Sequence, residues 1–269
     1  MPGGFTFNGI HSSNYCLAVL KIEDPLLPPT KDNKEDISGK DGAWDFGADY
    51  GARPITIDVA LTAAARSNLK ATIRQIAGWF NSKEGAKPLV FDDEPDKFYS
   101  ARLAGNIPID FLISAYSEFT ITFTAFDPIA QGEEIIWQKI IDTGKHVINN
   151  PGSYETRPII TITALAPTTE MLWDVCLTGG YDPVISGAIT NPIVKVGTKA
   201  IKYIGVLWPG DSLVLDCASL NATFNGSNAM AGIIGEFPVL GPGDNNLSMT
   251  DETSTYGGEV KLQYRGRWL

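Results

Sequence analysis

The sequence predicts a mainly β chain of two domains: an N-terminal β-sandwich carrying one α-helix and a β-hairpin, followed by a second β-sandwich. Three observations predict this. Apolar and polar residues alternate in several runs, as on a strand with one core face. Gly, Pro, Asn and Asp punctuate those runs, and only one stretch carries a helical period. At 269 residues the chain is long enough for two cores, and its 43% hydrophobic and 19% charged content is that of a globular protein.

Taken in order, Phe5 to Ile10 begins a strand that meets the hairpin signal Asn8-Gly9. Glu23 to Trp44 contains Pro25, Pro28 and Pro29 and then the charged run Lys31 to Asp36, and is predicted to be a long loop. Such a loop is either solvated or functional, since connections beyond about 12 to 15 residues are uncommon without a role. Ile55, Ile57, Val59 and Leu61 alternate with Thr56, Asp58 and Ala60, a strand with one core face. Leu69, Ile73, Ile76, Ala77 and Phe80 then form a single apolar stripe at helical spacing, with Lys70, Arg74 and Gln75 opposite. Ser67 is predicted to cap its start and Gly85 to follow its end. Pro88 to Phe91 and Lys97 to Leu103 read as a hairpin around an Asp92 to Asp96 turn.

Phe119, Ile121, Phe123 and Ala125 alternate with Thr120, Thr122 and Thr124 until Asp127-Pro128, where a residue without an N–H stops the ladder. The domain boundary is placed near Gly132, giving domains 1–132 and 133–269. In the second, Ile159 to Leu165, Ile193 to Val196, Ala200 to Val206, Ser212 to Leu215, Ala222 to Phe224 and Glu259 to Tyr264 are predicted strands, and Asn225-Gly226 is a second hairpin signal. Short strands at this spacing suggest a sandwich.

The net charge of −10 excludes a phosphate-binding surface of clustered Lys and Arg, so no sequence-specific nucleic-acid contact is expected. No stretch reaches the roughly 18 apolar residues of a membrane span, and the first residues lack the basic start and apolar segment of a secretion signal. Cys16, Cys176 and Cys217 have no metal-ligand spacing and read as reduced thiols. The Asn-x-Ser/Thr matches at Asn221, Asn225 and Asn246 carry no weight without a secretory route. Asp92, Asp93, Glu94 and Asp96 are a candidate cation site, but their spacing lacks the calcium-loop pattern and a solvated turn is favoured. The same carboxylates sit on a turn, not across a cleft as a glycosidase pair must. His11 and His146 belong to no catalytic motif, and Gly241-Pro242-Gly243-Asp244 is a turn, not a phosphate loop. Neither an enzyme activity, a metal nor a cofactor is expected. Trp137, Trp173 and Trp208 are the candidate sugar-stacking residues of the second half, each weighed against a place in the core.

The stretch from Gly78-Trp79-Phe80 through Leu89-Val90-Phe91-Asp92-Asp93, Pro95-Asp96, Tyr99-Ser100-Ala101-Arg102-Leu103 and Gly105 resembles the N-terminal half of the distal tail proteins of long-tailed (siphovirus) bacteriophages. Asn149-Asn150-Pro151-Gly152, Arg157-Pro158-Ile159-Ile160, Gly210-Asp211 with Asp216, Phe237-Pro238-Val239-Leu240 with Gly241 to Gly243 and Asn245, and Tyr264 to Trp268 resemble that family's C-terminal half. Only about Met171 to Ser186 lacks the pattern. The resemblance implies a virion protein made in the host cytoplasm and placed at the tail tip. It implies a homo-hexamer, a ring-forming N-terminal domain that joins the tail tube protein to the tail-tip protein around a channel for DNA, and an outward C-terminal domain with a galectin-like or carbohydrate-module-like sandwich. In such a ring the Glu23 to Trp44 loop would reach the neighbouring subunit, making Pro28, Pro29, Lys31, Lys34 and Trp44 candidate interface residues. The alternative is a carbohydrate- or receptor-binding module, in which the second domain grips a cell-wall saccharide or a receptor-binding protein.

Overall fold

The computed structural model describes residues 3–62, 66–105, 110–113, 116–140, 144–165, 188–252 and 258–269. They pack as two compact units, Met1–Gly132 and Glu133–Trp268, each mainly β.

The first unit runs β1 (Phe5–Phe7), β2 (Ile10–His11), β3 (Leu17–Glu23), β4 (Thr30–Asp36), β5 (Ala43–Tyr50), β6 (Arg53–Thr62), α1 (Arg66–Trp79), β7 (Lys87–Phe91), β8 (Glu94–Leu103), β9 (Asp110–Ile113) and β10 (Tyr116–Ala125). Its strands pair antiparallel in the order β2-β1-β7-β8-β10-β6-β3, with β9 on the first half of β10. A long unbroken ladder joins β6 to β10, whose register sets Ile55 opposite Phe123, Ile57 opposite Ile121 and Val59 opposite Phe119. All six are buried, because a period of two sends every alternate residue to the same face. The helix closes this core with aromatic rings. Trp79 stacks on Phe5 at 5.8 Å with 4° between planes and donates its Nε1–H to the Phe7 carbonyl (2.9 Å), while Phe80 meets Phe123 edge to face at 5.6 Å.

The structure shifts several local expectations. Ile76, Trp79 and Phe80 form the buried face of the helix and Ala77 is exposed, so the stripe turns toward Trp79. The helix begins at Arg66, which puts Ser67 inside its first turn; the side chains of Ser67, Leu69 and Lys70 lie outside the described residues. Gly85, at φ +85°, closes the short helical turn Ser82–Glu84 that follows. The β7–β8 hairpin turns on Asp92-Asp93 alone, so Pro95 belongs to a strand. Asn8 (φ 49°) and Gly9 (φ 75°) form the left-handed pair that joins β1 to β2. The predicted Glu23 to Trp44 loop is largely a β-hairpin, because Thr30–Asp36 and Ala43–Tyr50 pair with each other and, among the described residues, with no other strand.

A further strand, β11 (Ala130–Ile140), opens in the first unit, where Gln131 and Gly132 pair with Phe98 and Lys97. The second unit then runs β12 (His146–Asn150), β13 (Ile159–Ala164), β14 (Ile189–Thr190), β15 (Ile193–Val196), β16 (Lys199–Tyr203), β17 (Val206–Leu207), β18 (Ser212–Asp216), β19 (Asn221–Phe224), β20 (Ser227–Asn228), β21 (Ile233–Gly235), β22 (Gly243–Thr250) and β23 (Gly258–Trp268). One sheet has the order β23-β13-β18-β19-β20 and the other β12-β22-β15-β16-β21. β13 is central: Ile160 lies between Leu262 and Leu215, and Ile162 between Val260 and Leu213, all buried. Asn225 (φ 46°) and Gly226 (φ 79°) turn β19 into β20.

Candidate assembly surface

The β4–β5 hairpin has almost no core. Every residue of β5 is exposed and only Asn33 of β4 is partly covered. The exposed residues include Trp44 (50%), Phe46 (67%) and Ile37 (50%), and the connection between β3 and the hairpin adds Leu26 at 88%. An isolated two-stranded ribbon is marginal in water, and a run of exposed apolar residues marks a binding surface. What holds the ribbon together is local. Lys31 lies opposite Asp49 and Lys34 opposite Asp45, Asn33 Nδ2 donates to Asp49 Oδ2 at 2.7 Å, and Lys40 Nζ lies 3.9 Å from the centre of the Trp44 ring. A one-residue bulge between Asp32 and Lys34 interrupts the ladder, with Gly47 at φ +88° beside it.

Its root, by contrast, is fixed. Arg53, only 3% exposed, donates Nε to Asp24 Oδ1 at 2.7 Å and reaches the carbonyls of Pro25 and Pro128. Tyr99 donates its hydroxyl to Asp24 Oδ2 (3.2 Å) with the guanidinium 5.1 Å over its ring. Burial first, then the negative charge of Asp24, pushes the Tyr99 phenol up to about 12. On the return side the Gly51 N–H donates to the Pro29 carbonyl at 2.6 Å. The result is an exposed arm on a rigid mount.

The candidate interface residues divide accordingly. Pro29, Lys31, Lys34 and Trp44 are exposed on the arm, while Pro28 is buried and belongs to the mount. Of the candidate sugar-stacking residues, Trp137 is half-buried against the second core, Trp208 is 60% exposed, and Trp173 lies outside the described residues. Trp208 shares its exposure with Ile204 and Val206.

Among the described residues no nucleophilic site emerges. His11 Nε2 lies 3.2 Å from both Asp92 oxygens and Nδ1 2.7 Å from Ser13 Oγ, but Nδ1 already accepts the Ser13 backbone N–H (3.2 Å) and so caps a helical turn. Asp92 also accepts the Gly4 N–H at 2.6 Å, so it ties down the chain's first strand. Among the described residues no group of three or more His, Cys, Asp or Glu could hold a metal ion. Cys217 is buried, and that burial pushes its thiol up to about 12.

The motif residues of the second unit hold backbone. Buried Asn150 donates to the carbonyls of Tyr154 (3.0 Å) and Leu240 (3.2 Å) and accepts the Gly152 N–H (3.0 Å). A Cβ on Gly152 would fall 2.3 Å from the Arg267 carbonyl oxygen. Asn245 bonds both the N–H and the carbonyl of Gly241, and Asp211 accepts the Trp208 N–H and the Asn225 amide. A hydroxyl from Ser219, with backbone N–H groups, holds the Asp216 carboxyl below its ordinary value.

Comparison with known proteins agrees with this architecture. Residues 14–125 match the phage tail protein RIFT-related domain, and residues 182–268 match the siphovirus-type tail component, C-terminal domain. The distal tail protein of Bacillus phage SPP1 is 22% identical over 232 residues, 85% of this chain and 82% of that one. The crystal structure of the SPP1 Dit protein, described as a paradigm of the hub adsorption apparatus in phages infecting Gram-positive hosts, superposes with a TM-score of 0.74 at 16% identity over 99% of both chains. Two β units, matched in turn by the two domains of siphovirus tail components, define a tail component of a long-tailed phage. The chain belongs to the distal tail protein family, which puts it in the virion at the tail tip.

Proposed function

We propose that six copies of this chain close into a ring that acts as the hub of the tail tip. The ring joins the tail tube protein on one side to the tail-tip protein on the other and leaves a channel for DNA. The N-terminal domain, 1–132, carries the ring contacts; the C-terminal domain, 133–269, a galectin-like sandwich, faces the adsorption apparatus. The protein has no catalytic role. One observation carries this reading: an exposed, aromatic two-stranded arm on a rigid mount, built at the cost of exposed apolar surface that only a partner would cover. A hub on one axis needs a heterologous contact between two different patches, and an arm reaching outward provides one of them. The net charge of −10 suits a wall that repels passing DNA instead of binding it.

Light scattering on the purified chain, followed by negative-stain imaging of the main peak, tests this. A closed ring of about six subunits supports it; a monomer or compact dimer at every concentration sinks it. The exposed strip of Ile204, Val206 and Trp208 favours a second role for the C-terminal domain, gripping a saccharide or a receptor-binding protein. Binding on a glycan array that disappears with Trp208→Ala would establish it.

A further inference from the structure

Two Asn-Gly pairs turn hairpins in this chain, Asn8-Gly9 between β1 and β2 and Asn225-Gly226 between β19 and β20, and in most respects they are alike. Both asparagines are exposed and left-handed, at φ 49° and 46°, and both glycines follow at positive φ, 75° and 79°. A Cβ on either glycine would meet nothing within 4 Å, and each turn leads into a strand of two residues. They differ in what holds the asparagine. Asn225 accepts the Ser212 N–H on Oδ1 at 2.9 Å, donates Nδ2 to Asp211 Oδ1 at 2.7 Å and donates its own N–H to the Ser212 carbonyl at 2.9 Å. Asn8 donates its N–H to the Pro88 carbonyl at 3.0 Å, but among the described residues its carboxamide has no hydrogen-bond partner.

The difference matters because an Asn-Gly pair can react with itself, glycine having no side chain to keep its nitrogen away from the neighbouring carboxamide. The deprotonated glycine nitrogen attacks Asn Cγ, the new N–C bond closes a five-membered succinimide, and the side-chain nitrogen leaves as ammonia with protons from water. Water then adds to one of the two imide carbonyls. Breaking the bond from the ring nitrogen to Cγ gives aspartate; breaking the bond to the main-chain carbonyl carbon gives isoaspartate. We propose that Asn8 is the site at which this chain undergoes that conversion, and that Asn225 is protected from it. Cγ must swing over the following nitrogen, which at Asn225 breaks two side-chain hydrogen bonds, one of them to a carboxylate, and at Asn8 breaks none. Isoaspartate routes the main chain through the former side chain, adding a methylene between the paired residues Phe7 and Ile10. The Phe7 carbonyl accepts the Trp79 Nε1–H, so the lengthened turn acts on the strand that holds α1. A virion protein is not replaced after assembly, so the product accumulates as the particle ages.

Ageing the purified full-length chain in mildly alkaline buffer, followed by proteolytic peptide mapping with mass spectrometry and isoaspartate methyltransferase labelling, tests the assignment. Asn8 is expected to convert roughly tenfold or more faster than Asn225, the ratio that two lost hydrogen bonds impose. In Asp211→Ala the Asn225 carboxamide loses one partner, and its conversion should speed up while that of Asn8 stays the same. Asn8→Gly keeps the left-handed turn without strain and has no carboxamide to lose, so its first hairpin should age unchanged. The parent fraction carrying isoaspartate should melt below the unconverted chain. An intact Asn8, or equal rates at the two sites, overturns the assignment; equal melting of the two fractions overturns the consequence drawn for α1.

Discussion

Two antiparallel pairs of similar length lie next to each other in the chain, and they are built for opposite ends. In β6–β10 the alternation is regular, and Ile55, Ile57, Phe119, Ile121 and Phe123 face each other in a closed core. In β4–β5 the pattern is charged, bulged at Asn33 and Gly47, and uncovered on every residue of one strand. The first pair holds the monomer together. The second buries almost nothing and leaves Trp44 and Phe46 exposed. On the proposed ring, stability and assembly fall to different strands joined by two residues, with the Arg53 mount at the junction.

The contrast can be broken from the core side first. Phe123→Ala removes a fully buried ring that touches Phe5, Phe7 and Phe80, and is expected to destabilise the first unit by about 3–5 kcal/mol. Urea denaturation should show it as a lower midpoint at unchanged slope. Arg53→Met comes next, at about 2–3 kcal/mol. It strands the Asp24 carboxylate, but that side chain is 28% exposed and partly hydrated, so the cost falls below that of a fully buried pair. Arg53→Lys should not restore the loss, since a single ammonium cannot reach Asp24 and two carbonyls together.

Replacing Thr30–Tyr50 with two glycines is expected to change monomer stability by less than about 1 kcal/mol, because the ends are already joined by the Gly51–Pro29 hydrogen bond and no core residue is lost. The same deletion should abolish the ring in scattering. A drop of several kcal/mol would mean that the arm is part of the core and erase the distinction. The smallest effect is a pH dependence. The Tyr99 phenol is held neutral up to about 12, above its ordinary 10, so its contribution is complete below pH 10 and is lost as pH rises toward 12, where the folded state too ionises. Tyr99→Phe should flatten that part of the stability curve recorded between pH 9 and about 12.

The strands with period two, the helix and both Asn-Gly turns were legible from the residues, because alternate burial and left-handed turn geometry are local demands that a few side chains state directly. Ile55, Ile57, Val59 and Leu61, and Phe119, Ile121, Phe123 and Ala125, fall on their buried faces, while Ala60, expected on the polar face, is buried as well. The polar strands were not legible. The run Gly243–Thr250 pairs β12 and β15, yet its Gly, Asn and Ser residues resemble a turn, and its strand state comes from neighbours distant in sequence. The same holds for the arm, read as a loop because nothing in Lys31 to Asp36 repeats with period two. The apolar stripe names Ala77 where the structure covers Trp79, since a helical stripe fixes a side only to within a residue, and the rings of Phe5 and Phe7, far away in the chain, select which one is covered. By itself the sequence determined the class of fold, the alternating cores and the family motifs; the tertiary structure alone decided that Asp24, Arg53 and Tyr99 meet, that Asn150, Gly152 and Asn245 serve backbone turns, and that Trp44 and Phe46 stay in water. Those outcomes depend on long-range pairing, and no local period encodes which distant strand will lie alongside.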